Sequence, residues 1–234
     1  MSPAPHPDRE TRILSLWESA VGRPRRQRAD ALLGEARPRG LGARNRAWLA
    51  IRTALFGRDW PLRSDCPACA APCEFTIDAV VLAEGLAALP PARDAATIEW
   101  RGRTLELRAP TADDLGDVSG ADDVAGAARM LLARCASREI AAELAEDDLA
   151  SLGREIESLD PASVISFALA CPDCGHGWPA PVDVAEALWT EVRDAAERSL
   201  TEIDALARAY GWDEQQVMGL SPVRRAAYLQ LVAA

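Results

Sequence analysis

A short pattern occurs twice in this chain. The first copy, Cys66–Asp78, reads CPACAAPCEFTID, and the second, Cys171–Asp183, reads CPDCGHGWPAPVD. Each holds Cys-Pro-x-Cys, then a small residue, then a β-like run that closes on Ile-Asp or Val-Asp. A Cys-x-x-Cys bend aims two thiolates at one point, and the backbone amides around it stabilise their charge. Two such bends supply the four soft ligands of a closed tetrahedral zinc site. Cys66, Cys69, Cys171 and Cys174 are therefore the candidate ligands of a structural Zn2+. About a hundred residues separate the copies, so the segment between them must be an insertion that leaves the site and re-enters it. Three rival arrangements exist. Cys73 could replace a ligand, but it aligns with Trp178 in the second copy. His176 could be a ligand, but it aligns with Ala71 and is expected on the knuckle surface. A redox Cys-x-x-Cys would open a helix, whereas each pair here sits between strands.

Composition narrows the classes. The 234 residues are 49% apolar, much of it Ala, which favours a globular, helix-rich chain of one to two domains. No apolar run approaches the roughly 18 residues needed to cross a bilayer. The N-terminal MSPAPHPDRETR has no apolar signal region. Cysteines without a secretion signal point to metal binding and a cytoplasmic location rather than to disulfides. The net charge of −10 is uneven: residues 1–63 hold 13 Arg against 6 acidic residues, and residues 64–234 hold 13 Arg against 30. An acidic body repels phosphate, so general nucleic-acid binding is not expected. The basic head is a candidate contact for nucleic acid or for an acidic protein surface.

The expected fold is α+β and mostly helical. A small antiparallel zinc-ribbon-like β core of two CPxC knuckles carries an inserted α/β segment and flanking helices. Residues 1–8 read as a disordered tip. Ile13, Leu14, Trp17 and Val21 predict a first helix face, with further helices over Arg26–Ala36 and Ala43–Phe56. Trp17 and Trp48 are expected in the core, and Arg23, Arg25, Arg26 and Arg28 in a solvated loop and helix start. Glu74–Asp78 reads as the return strand of the first knuckle, and Ala79–Leu89 as a helix. A hairpin over Thr97–Trp100 and Thr104–Arg108 precedes a helix capped by Thr111. Helices over Asp122–Ala136, with Val124, Met130, Leu131 and Leu132 as its apolar set, and over Glu146–Leu159 follow. Cys135 is expected as a buried spare thiol. Val164–Ala170 and Trp178–Asp183 flank the second knuckle. The longest helix covers Val184–Tyr210 and ends at Gly211. A short helix runs to Gly219, and a last one starts at Ser221-Pro222. Five regions result: a basic helical segment (1–61), the first knuckle (62–82), the insertion (83–163), the second knuckle (164–184) and a C-terminal helical region (185–234).

Several stretches resemble a known family. IDALARAYGWDEQQVMGLSPVRRAAYLQLV, Ile203–Val232, resembles the closing segment of baseplate-associated proteins of contractile phage tails and phage-tail-like injection systems. These are described as similar to T-even-type baseplate hub assembly proteins or chaperones. GARNRAWLAIRTALFG, the first CPxC and the strand entering CPDCGH resemble the same family. Ala70 stands where that family usually has Gly, and Cys73 is an addition. The resemblance implies a non-enzymatic role in building or completing a baseplate, with baseplate, spike or tail-tube proteins as partners and no small-molecule substrate. The protein would then be cytoplasmic or incorporated into the particle. Tyr210, Trp212, Leu220, Arg224, Arg225 and Tyr228 are candidate partner-binding residues. The competing expectation for that patch, which also includes Val217 and Leu229, is packing on the chain's own long helix.

Two other classes compete. A zinc-ribbon DNA-binding regulator would use Trp212–Val232 as a helix-turn-helix-like segment, with Arg224 and Arg225 facing phosphate. Against it, residues 184–234 are acidic and two arginines are a thin basic footprint. A metal-dependent hydrolase needs an open ligand position and a general base. The chain has only His6 and His176, and no HExxH, GxSxG or Gly-rich phosphate loop, so no enzyme is expected.

Overall fold

The computed structural model describes residues 7–118, 121, 123–136, 140 and 144–233. The first six residues of the expected tip, His6 among them, fall outside them, as does Asp122, and the last two residues of that tip, Pro7 and Asp8, are helical rather than disordered. The described chain is α+β, with ten helices and three two-stranded antiparallel sheets. The elements are α1 (Pro7–Ala20), α2 (Arg25–Leu33), α3 (Leu41–Phe56), β1 (Asp59–Asp65), β2 (Pro72–Asp78), α4 (Ala79–Ala88), β3 (Ala95–Trp100) and β4 (Arg103–Arg108). They continue with α5 (Ala112–Val118), α6 (Val124–Cys135), α7 (Glu146–Leu159), β5 (Ser166–Ala170), β6 (Gly177–Pro181), α8 (Val184–Tyr210), α9 (Glu214–Met218) and α10 (Pro222–Ala233).

The spine is α8. Val184, Ala185, Leu188, Trp189, Val192 and Ala196 recur at three- and four-residue spacing and face a main core shared with α1, α2 and α3. Farther along the same helix, Ile203 and Leu206 anchor a separate apolar cluster with Val217, Trp212, Leu220, Tyr228 and Leu229. Gly211, left-handed at φ 70°, ends α8 and donates to the Ala207 carbonyl.

The insertion builds its own core. Trp100, Leu105 and Leu107 of the β3–β4 hairpin pack with Leu132 and Cys135 of α6 and with Leu152, Ile156 and Leu159 of α7. Asp160, at the exit of α7, reaches back to the main core. Its buried carboxylate accepts from the Gly42 amide at 2.7 Å, in the first turn of α3. A Cβ at Gly42 would lie 2.1 Å from the Asp160 oxygen, so the approach requires glycine. Asn45 completes the joint by donating to the Ala162 and Ser163 carbonyls.

Four expectations are corrected. The two knuckle hairpins do not merge into one β core: β1–β2 and β5–β6 are separate sheets that touch through Phe75 and Phe167, whose rings are 5.9 Å apart. Val21 lies beyond the end of α1 and is exposed rather than on its core face. In α6 only Leu132 and Cys135 are buried, whereas Val124 and Met130 face outward. The second helix also stops early, at Leu33, where Gly34 turns left-handed.

Candidate metal centre

Each repeat copy builds one hairpin, and the two knuckles share one backbone plan. In the first, the Cys66 amide donates to the Ala71 carbonyl and the Ala70 amide donates to the Cys66 carbonyl. In the second, Cys171 and His176, and Gly175 and Cys171, make the same two bonds. The turn requires a left-handed residue, Ala70 at φ 59° and Gly175 at φ 71°. The closing Asp of each copy also has one job. Asp78 accepts from the Val80 and Val81 amides and caps α4, and Asp183 accepts from the Glu186 amide and caps α8. The repeat is therefore a unit of strand, bend, strand and helix cap.

The hairpins face each other with their bends together. The Sγ atoms of Cys66 and Cys174 are 3.7 Å apart, and those of Cys69 and Cys171 are 3.6 Å apart. A disulfide needs about 2.05 Å, so these are not bonded pairs. All four sulfurs lie within 4.8 Å of one another, close enough to hold one metal ion. Cys66 and Cys171 are buried, and Cys69 and Cys174 are exposed. Cys73, Ala71 and Trp178 pack over the buried side.

The thiols do not ionise alike. The Cys174 backbone amide lowers the Cys171 pKa to about 6, with help from the Asp173 amide and against the cost of burial. At Cys69 the Ala71 amide also pulls downward. Shared hydrogen bonds with Cys174, Cys171 and Cys66 and lost solvation outweigh it, and the pKa is pushed up to about 12. The first negative charge forms readily in this cluster and resists the next. A cation among the sulfurs removes that resistance.

The other sequence candidates are placed as follows. Cys73 lies outside the four-sulfur group, and burial followed by the neighbouring Cys171 and Cys66 thiols raises its pKa. The His176 ring is on the surface, stacked on Trp178 at 6.2 Å. Cys135 is buried, and burial pushes its thiol up to about 11. Tyr210, Trp212 and Tyr228 form one aromatic cluster, with ring centroids 4.7, 4.9 and 5.5 Å apart, and with Leu220 they lie at the end of α8. Tyr210 is exposed and Trp212, Leu220 and Tyr228 are half-buried. Arg224 is exposed at the start of α10, where Ser221 caps its amide. Arg225 is buried and serves as an internal strut: its guanidinium meets Glu10 of α1 at 2.5 and 2.7 Å. Burial works against the Glu10 charge, but the Arg225 and Ser199 hydrogen bonds hold its pKa below the ordinary value.

Arg23, Arg25 and Arg26 are exposed at the loop and the start of α2, as expected, and Arg28 is half-buried. Their ion pairs with the acidic body have no local sequence signal: Arg25 to Asp183, Arg26 to Asp113 and Arg28 to Glu186. Arg52 is fully buried at the root of β1. It grips Glu191 of α8 with two bonds of 2.9 Å, donates to the Gly57 and Asp59 carbonyls, and lies over the Trp60 ring at 5.2 Å. The available signal was an arginine inside the apolar stripe Trp48, Leu49, Leu55. Among the described residues, no helix is long and apolar enough to cross a membrane. The chain matches no family model, no curated protein and no solved structure at a significant level.

Proposed function

We propose that this chain is a zinc-stabilised, non-enzymatic docking or assembly protein of the baseplate of a contractile phage tail or phage-tail-like injection system. The observation that carries the zinc reading is the four-sulfur cluster. A tetrahedron with Zn–S bonds of about 2.3 Å has edges of about 3.8 Å, and the two sulfur pairs at 3.6 and 3.7 Å fit it. Sulfur-only donors select soft or borderline ions, of which zinc asks for this closed geometry. The bound ion would supply structural cross-linking. Four thiolates leave it no open position for substrate, which supports a role without catalysis.

The baseplate reading rests on the resemblance of Ile203–Val232 and is supported by how that segment folds. Its aromatic cluster at the end of α8, with Val223 and Leu231 exposed on α10, suits docking to another subunit. The DNA-binding alternative has less support, because Arg225 is buried against Glu10 and cannot reach phosphate.

Two experiments test this reading. Elemental analysis of purified protein is expected to find one zinc per chain, lost with several degrees of Tm in Cys171→Ser and retained in Cys73→Ser. Zinc retained in Cys171→Ser, or lost in Cys73→Ser, would sink the ligand assignment. A tagged pull-down from the native host after nuclease treatment is expected to recover baseplate, spike or tail-tube subunits. Recovery of polymerase or transcription factors instead would move the assignment to the regulator.

A further inference from the structure

Between the main core and the insertion runs a groove of about 740 Å³, bounded by α2, the start of α3, α5, the strand-entry segment before β5 and the start of α8. Its volume is that of a ligand or peptide site. Trp48 and Trp189 line it, and Leu115 and Val164 also line it while standing 42% and 56% exposed. Exposed apolar walls in a concave site mark a surface that gains by being covered.

Four arginines and two carboxylates line the groove, an arginine excess on an acidic chain. Arg25, Arg26, Arg28 and Arg44 border it together with Asp183 and Glu186, and Arg28 and Arg44 lie over the Trp189 and Trp48 rings at 5.1 and 4.9 Å. Each arginine holds a carboxylate of this chain, but the pairs differ in depth. Arg44 and Asp30 are mostly buried. Arg26 and Asp113 are exposed by 48% and 84%, and an ion pair so exposed contributes little to stability. Asp113 belongs to α5 on the insertion side, so this pair spans the mouth of the groove. The Arg26 guanidinium lies so close to α5 that a Cβ at Gly116 would be 2.2 Å from its Nη1. Asp113 thus holds the position of a displaceable acidic ligand.

We propose that this groove is a docking site for a partner peptide that carries an acidic side chain beside apolar ones. The carboxylate takes over Arg26 and Arg25 from Asp113 and Asp183, and the apolar side chains cover Leu115 and Val164. This goes beyond the baseplate reading and does not depend on it.

The test is a display selection with a randomised peptide library on the full-length, metal-loaded chain. Selected peptides are synthesised and their affinities measured by fluorescence anisotropy. The expected result is enrichment of Asp or Glu next to large apolar residues. Binding should weaken about tenfold in Arg25→Glu/Arg26→Glu, where attraction becomes repulsion, and also in Val164→Asp. It should tighten about two- to fivefold in Asp113→Asn, which removes the internal competitor. Val124→Glu, on an exposed face of α6 outside the groove, should change nothing. All variants are surface changes, and an unchanged Tm checks their folding. A selection that enriches nothing overturns the proposal. So do peptides indifferent to Arg25→Glu/Arg26→Glu, weaker binding in Asp113→Asn, or a labelled oligonucleotide that occupies the groove instead.

Discussion

Ala70 and Gly175 occupy equivalent places in the two knuckles, and only one suits its backbone. A left-handed residue with a side chain costs about 1–2 kcal/mol, and glycine escapes that cost. Ala70→Gly is expected to stabilise the chain by about 0.5–1 kcal/mol, roughly 1–4 °C in Tm for a protein of this size. Gly175→Ala should do the reverse, and the cost would be purely conformational, because a Cβ there meets nothing within 4 Å. Calorimetry of both variants checks this; a lower Tm for Ala70→Gly would contradict it. The equivalence of the two positions is legible in the sequence, because the repeat aligns them. The conformation at Ala70 is not, because alanine gives no local signal for a positive φ.

Among elements, the clearest joint in the insertion is Asp114 of α5. Its buried carboxylate accepts from Arg108 of β4 at 2.7 Å twice, from Arg134 of α6 at 2.9 Å and from the Thr111 amide at 2.8 Å. Arg108 above all, then Thr111 and Arg134, hold its pKa well below the usual carboxylate range despite burial. A depressed native pKa means that the stabilisation is complete above the unfolded value of about 3.9 and is lost as pH falls below it. Asp114→Asn is expected to cost about 2–3 kcal/mol at pH 7, and the gap to the unaltered chain should shrink below about pH 4. Urea titrations across pH measure this, and a gap that widens in acid would refute it. Element bounds were readable where caps were local. Glu146–Leu159 and Val184–Tyr210 are found at their sequence-expected bounds, because an Asp cap and a Gly stop sit beside the apolar period of the second. The Arg52–Glu191 joint was not readable, since its partners are 139 residues apart and an arginine breaks the apolar stripe that would flag it.

Across the molecule, the apolar core is divided into separate clusters. The four cysteines join segments 102 and 108 residues apart, while the core of Leu105, Leu107, Leu152 and Leu159 lies inside the loop they close and includes none of them. A clip that closes a loop of this length removes about 4–5 kcal/mol of unfolded-chain entropy. Removal of the proposed zinc by a chelator is therefore expected to raise amide exchange in β1, β2, β5, β6 and the adjoining main core. Amides of β3, β4 and α7 should keep their protection. A uniform loss of protection across both cores, read by mass spectrometry, would contradict this. The charge pattern also resolves only at this scale. The basic head and acidic body are distant in sequence but meet through Arg25, Arg26, Arg28 and Arg52, and of these pairs only Arg52–Glu191 has a fully buried arginine.

The order in which the ribosome delivers the two knuckles follows from their spacing. Cys66 and Cys69 emerge first, and Cys174 follows Cys66 by 108 residues. At roughly 5–20 residues per second, the first thiol pair waits on the order of 5–20 s for its partners. Within that interval the whole insertion leaves the exit tunnel with a core of its own to form. The four-sulfur group can therefore close only after the insertion has been made, and until then Cys66 and Cys69 wait as free thiols beside Cys73.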